Sequence, residues 1–169
     1  DRPILVAPLL ADSTCAISAS YEARAFGIKT GTSVRDAKAL CPSIIVIPAD
    51  PRKYVVYHKK IVEVLDHYFS TVHVLSVDEM ACVLGYRHQT KETASNLALK
   101  IKAHIKEYLG FYLRSSIGIG PNIFLAKVAS DIEKPDGLTV FENSYWFTLF
   151  KLKLTDLPGI ASRTEARLN

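Results

Sequence analysis

Long apolar runs are scarce in this 169-residue chain. Runs such as those at residues 44–48 and 71–75 fall far short of the roughly 20 residues that a membrane-spanning helix needs. The opening Asp1-Arg2-Pro3-Ile4-Leu5-Val6 lacks the basic start, apolar centre and small-residue cleavage site of a signal peptide. The one methionine is Met80, so no initiating residue opens the chain, which reads as a piece cut from a longer protein. Cysteine is also sparse. Cys15, Cys41 and Cys82 are odd in number and far apart, with no CxxC pair or Cys/His cluster to ligate zinc, so they read as reduced packing residues in a cytoplasmic protein. A large net charge is absent too: 21 basic against 17 acidic residues leaves +4, compatible with a polyanionic partner and equally with an ordinary enzyme surface. There is no repeat period or low-complexity tract.

What is present is enough apolar sequence, 49% of residues, to bury a substantial core in one domain or two small ones. Residues 3–8 and 14–18 read as two strands joined by the turn Ala11-Asp12-Ser13. A short helix from Tyr21 to Phe26 stops at Gly27. Thr32 or Ser33 can cap a second helix whose Val34, Ala37, Leu40 and Cys41 recur at helical spacing, closed by Pro42. Residues 44–48 form a further strand. A long helix over 51–69 lines Tyr54, Val55, His58, Ile61, Val62, Leu65 and Tyr68 along one face, and another over 91–109 does the same with Ala94, Leu97, Ala98, Ile101, Ile105 and Leu109. Strands are expected at 72–77, 80–84, 112–118 and 138–141, a helix from Phe124 onward, and short helical pieces at the end. Paired strands alternating with long helices indicate an α+β fold rather than a doubly wound parallel sheet.

Asp78 and Glu79 stand together where two apolar strands meet. Burying an unpaired carboxylate costs several kcal/mol, so a buried pair demands a compensating cation. Magnesium suits the role, because it favours hard oxygen ligands and commonly takes one or two carboxylates with phosphates and water. Spacing alone leaves open a solvent-exposed hairpin turn carrying two charges.

Ordered motifs add to that reading. Ser76-Val77-Asp78-Glu79 is accompanied by Ser20-Tyr21-Glu22-Ala23-Arg24, Phe26-Gly27-Ile28-Lys29-Thr30-Gly31 and Ala37-Lys38-Ala39-Leu40-Cys41-Pro42. Ser116-Ile117-Gly118-Ile119-Gly120-Pro121-Asn122 follows, then Leu125-Ala126-Lys127-Val128-Ala129-Ser130, Lys134-Pro135-Asp136-Gly137 and Leu157-Pro158-Gly159-Ile160. In this order they resemble the segments of Y-family (translesion) DNA polymerases over nearly the whole chain.

The resemblance implies a palm-type antiparallel sheet covered by two helices, a small fingers lobe, and the start of a helical thumb. The corresponding stretches are a fingers-like lobe at 1–49, palm at 50–140 and a partial thumb with a helix-hairpin-helix at 141–169. It implies template-directed nucleotidyl transfer past damaged bases, with Asp78 and Glu79 as catalytic metal ligands for two magnesium ions. Ser18, Tyr21, Arg24 and Lys134 would bind the incoming triphosphate; Tyr21 and Arg24, three apart, share a helix face. Gly159 and Ile160 would contact a DNA phosphate through the backbone. Lys127 reads as a helical lysine whose stem covers the sheet edge. Expected partners are primer-template DNA, deoxynucleoside triphosphates and a sliding clamp or recombinase, with the core a monomer.

The sequence departs from the family at Leu75, Met80, Ile123 and Ala161. The first family strand, carrying another metal-binding Asp, is expected upstream of Asp1, and the isolated piece is expected to be nearly inactive. A non-catalytic, DNA-binding relative of these polymerases is the alternative expectation.

Overall fold

The alternation of buried and half-buried side chains along Ile4–Ala7 makes β1 the inner strand of a small mixed sheet. The structure is a computed structural model describing residues 2–168, and its one division into compact units falls between Tyr54 and Val55. In the first unit β1 pairs antiparallel with β2 (Ser18–Ala19) and parallel with β3 (Ile45–Pro48), with Leu5 opposite both Ala19 and Val46. Helices α1 (Tyr21–Arg24) and α2 (Val34–Leu40) supply Ala23, Val34 and Ala37 to a core with Leu5, Ala7, Ile28 and Cys41. Ser20 Oγ caps α1 by accepting from the Ala23 amide, and it also accepts from Ile4 of β1, which ties helix to sheet. Ser33, rather than Thr32, caps α2, its hydroxyl oxygen accepting from the Asp36 amide.

Helix α3 (Pro51–Asp66) contains the division between the units. Within the second unit its Val64 packs with Leu97, Ile101 and Ile105 of α4 (Lys91–Leu109). Between these helices come β4 (Val72–Val74) and β5 (Met80–Cys82), an antiparallel hairpin with His73 opposite Ala81. Next, β6 (Ile117–Ile119), α5 (Ile123–Ile132) and β7 (Leu138–Val140) form a strand-helix-strand crossover with parallel strands, Ile117 opposite Leu138. Gly118 permits this packing. A Cβ there would run into the Ala126 carbonyl and Ser130 amide of α5, so the helix lies directly on the strand. Leu125, Val128 and Ala129 join Phe141 beneath α6 (Trp146–Leu149), and α7 (Ser162–Leu168) follows.

The mixed α+β class holds, but the antiparallel sheet expected in the second unit needs correction. Only β4 and β5 pair antiparallel; β6 and β7 are parallel, because a helix crosses between them. Among the described residues the two pairs are not joined into one sheet. The expected strand at 14–18 is largely loop, since Thr14, Cys15 and Ala16 pair with residues 31–34 instead of β1. The strand expected at 112–118 shortens to three residues. Its predecessors Phe111 and Tyr112 are 78% and 90% exposed, outside any core. Among the described residues no helix is long and apolar enough to cross a membrane.

Candidate active site

The link between β4 and β5 is short and tightly bonded, which determines how Asp78 and Glu79 are presented. Leu75 and Ser76 amides both donate to the Glu79 carbonyl, at 2.9 and 3.1 Å. Ser76 Oγ donates to Asp78 Oδ1 at 2.8 Å and accepts from the Asp78 amide at 3.3 Å. From α3, His58 Nδ1 lies 3.0 Å from the Val77 carbonyl, so Nδ1 carries the donated proton in this bond. The turn ends the strands earlier than their apolar runs suggest. It also leaves Asp78 exposed and the Glu79 side chain 42% exposed. Burial is therefore not what calls for a cation here, contrary to the reading of the apolar flanks.

Glu79 is nevertheless matched by a cation. Lys127, on α5, donates from Nζ to Glu79 Oε1 at 2.6 Å and to Asp131 Oδ1 at 3.1 Å. Asp131 in turn pairs with Lys134 at 2.5 Å. Burial draws the Lys127 pKa down, but hydrogen bonds and charge from Glu79 and Asp131 outweigh it and the net shift is upward. Burial likewise opposes ionisation of Asp131, yet Lys134 and Lys127 carry its pKa below the usual carboxylate range. The result is a line of alternating charge, Glu79, Lys127, Asp131, Lys134, along one side of α5. Sequence reading gave Lys127 only a covering stem. The i,i+4 spacing of Lys127 and Asp131 was the local signal for the pair.

Lys134 is exposed at the head of a loop with a cis Lys134–Pro135 peptide and Asp136 at φ 61°. Two lysines of α4 hold that loop. Lys102, 7% exposed, donates to Asp136 Oδ1 and to the Asp136 carbonyl, both at 2.7 Å, and to the carbonyls of Ser115 and Gly137. Lys106 reaches Asp136 Oδ2 at 2.7 Å. Hydrogen bonds from Lys102 and then Lys106 lower the Asp136 carboxyl to about 2. Lys102 was missed from sequence, although its position among Ala98, Ile101 and Ile105 on the inward stripe of α4 was a usable sign.

In the first unit, Ser18 is exposed on β2 opposite Val6. Tyr21 and Arg24 project from α1, the guanidinium carbon 5.0 Å from the ring centroid, and Arg24 Nε donates to the Ala19 carbonyl at 3.1 Å. Stacking and that bond fix the side chain while leaving it exposed. Near the end of the chain Gly159 adopts φ +85°, a left-handed conformation that glycine takes without strain. The Ile160 amide donates back to the Leu157 carbonyl at 3.1 Å, so that donor is already engaged in the turn. Among the described residues no three His, Cys, Asp or Glu side chains cluster as a metal site. Asp78 and Glu79 carry hard carboxylate oxygens of the kind that could hold magnesium together with phosphate and water.

Residues 1–131 match the model of the impB/mucB/samB family. The chain belongs to this family. It is 35% identical over 153 residues to DNA polymerase IV of Pelotomaculum thermopropionicum, an alignment covering 90% of this chain and 38% of that protein. Among solved structures, DinB from Sulfolobus solfataricus superposes with a TM-score of 0.87 at 30% identity, covering 99% of this chain and 49% of the other. An insertion ternary complex of Dbh DNA polymerase gives the same TM-score and identity. The impB/mucB/samB match thus comes with Y-family polymerase architecture, and the chain spans less than half the length of these relatives.

Proposed function

We propose that this chain belongs to a translesion DNA polymerase that extends a primer on a damaged template, consuming deoxynucleoside triphosphates. The observation that carries the proposal is the bonded β4–β5 turn. It holds two adjacent carboxylates in place and sets Glu79 against Lys127 of α5. In this reading residues 1–49 are fingers-like, 50–140 palm and 141–169 the start of the thumb.

Asp78 and Glu79 are the residues that would hold magnesium, two ions being expected for this chemistry. When bound, such ions activate the primer 3′-hydroxyl and stabilise the leaving pyrophosphate. Ser76 orients Asp78 through its hydroxyl, and the two amides on the Glu79 carbonyl fix the backbone from which both carboxylates project. Arg24, steadied by Tyr21 and the Ala19 carbonyl, offers a planar donor edge suited to a triphosphate. Ser18 and Tyr21 add hydroxyl donors. Lys134 supplies a further phosphate-directed charge from a loop made rigid by Lys102. Gly159 and Ile160 shape a turn where DNA backbone can approach closely, a contact that positions without reading sequence.

The test is primer extension by the full-length protein with magnesium on undamaged and abasic templates. Asp78→Ala and Glu79→Ala are each expected to reduce extension at least a hundredfold with an unchanged melting temperature. Normal extension by either variant refutes the assignment.

A further inference from the structure

Lys127 occupies one oxygen of the carboxylate that the proposed reading gives to a metal ion. Its Nζ is 2.6 Å from Glu79 Oε1 and 3.1 Å from Asp131 Oδ1, so one ammonium spans two carboxylates. A divalent cation binding Glu79 would lie close to this ammonium, and like charges at such range repel strongly in a partly desolvated site. Both cannot hold Glu79 at full strength. The side chain has somewhere to go, because Asp131 lies one turn along the same helix and already shares the ammonium. Lys127 is also only 25% exposed, so swinging it into bulk water is not the nearest alternative.

We propose that Lys127 is a displaceable stand-in for the divalent cation: it holds Glu79 in the metal-free protein and withdraws onto Asp131 when an ion loads. The inference rests on the metal-binding reading of Asp78 and Glu79. It extends that reading to Lys134, because the Asp131 oxygen that receives Lys127 is the one now paired with Lys134 at 2.5 Å. As Lys127 closes on Asp131 Oδ1, two ammonium groups compete for one oxygen, and Lys134 is released toward an anion. Ion loading and readiness for a triphosphate are then linked through the Asp131 carboxylate of α5. Lys127 acts through Glu79, as a positioning residue.

A purely structural strap between α5 and the hairpin gives the opposite sign in a binding experiment, which makes the two accounts separable. The experiment titrates Mn2+ alone into the full-length protein without DNA or nucleotide, following the free-ion signal by electron paramagnetic resonance. Lys127→Met removes the competitor and is expected to tighten Mn2+ binding about tenfold, the scale of one charge-assisted bond. Lys127→Gln serves as a second neutral variant, and Lys127→Arg, which keeps the charge, is expected to stay near wild type. Asp131→Asn removes the receiving carboxylate and is expected to weaken binding severalfold. Unchanged or weaker Mn2+ binding in both neutral Lys127 variants, while Glu79→Gln still abolishes binding, overturns the proposal and leaves the metal site standing. Wild-type Mn2+ affinity in Glu79→Gln overturns both.

Discussion

Replacing Lys102 with methionine exchanges an ammonium for a thioether of similar length at a position only 7% exposed. The lost donor served Asp136 Oδ1 and the carbonyls of Ser115, Asp136 and Gly137. Their losses are unequal. The Asp136 carboxylate keeps Lys106 at 2.7 Å, and the Gly137 carbonyl keeps the Ile117 amide at 3.1 Å. The Ser115 and Asp136 carbonyls lose a charged donor, at roughly 1–3 kcal/mol apiece. Relief from burying the ammonium offsets part of this. The net expected loss is about 3 kcal/mol, which for a chain of this size lowers Tm by roughly 6–12 °C. Urea and thermal unfolding followed by circular dichroism measure it, and hydrogen exchange should quicken first at residues 115–117 and 137, where the clamp sits. Lys102→Arg is expected to recover little, because a planar guanidinium does not fit acceptors converging on a point. A loss below about 1 kcal/mol for Lys102→Met would refute the argument that this ammonium organises the loop.

The same clamp gives a pH dependence. The Asp136 carboxyl titrates at about 2 in the folded protein and near 3.9 when unfolded, so its contribution is present above pH 3.9 and fades as pH falls toward 2. Wild type should therefore exceed Asp136→Asn in urea stability at pH 6, and the gap should close by pH 2; a constant gap contradicts the linkage. Gly118→Ala forces a Cβ against the Ala126 carbonyl and Ser130 amide and is expected to cost about 3 kcal/mol in chemical denaturation, whereas a neutral result means that α5 shifts freely. Steady-state incorporation by full-length Arg24→Ala and Lys134→Ala should show a nucleotide KM raised at least fivefold, and an unchanged KM removes both from the triphosphate site.

Elements with local punctuation were legible. Helix α4 runs from Lys91 to Leu109 as its periodicity indicates, because Thr90 caps its start and Gly110, at φ 129°, ends it. Capping by Ser20, Ser33 and Asn122 is similarly written into neighbouring residues. What could not be read locally depends on distant partners. The apolar residues at 72–77 look like a full strand, yet Leu75 and Ser76 turn back to bond Glu79 and Val77 faces His58 from another helix. The stretch at 112–116 appears strand-like until Lys102 takes the Ser115 carbonyl. Parallel pairing of β6 with β7 follows from glycine allowing α5 to sit against the strand, a packing fact that alternation does not record. Motif order directed attention to Asp78, Glu79, Arg24 and Lys134. It carried no sign that Lys127, 48 residues from Glu79 in the chain, would meet it.

The parallel partnership of β1 with β3 also bears on how the first unit comes into being. Its inner strand is Ile4–Ala7, while the strand that completes that side ends at Pro48. During synthesis Leu5 and Ala7, both fully buried in the finished sheet, must wait until more than forty further residues have left the ribosome before β3 can cover them. Ser18–Ala19 can pair sooner, but two residues make a weak edge. A nascent chain stalled before Ile45 would display an apolar strand with one side open, a target for chaperones and for mispairing.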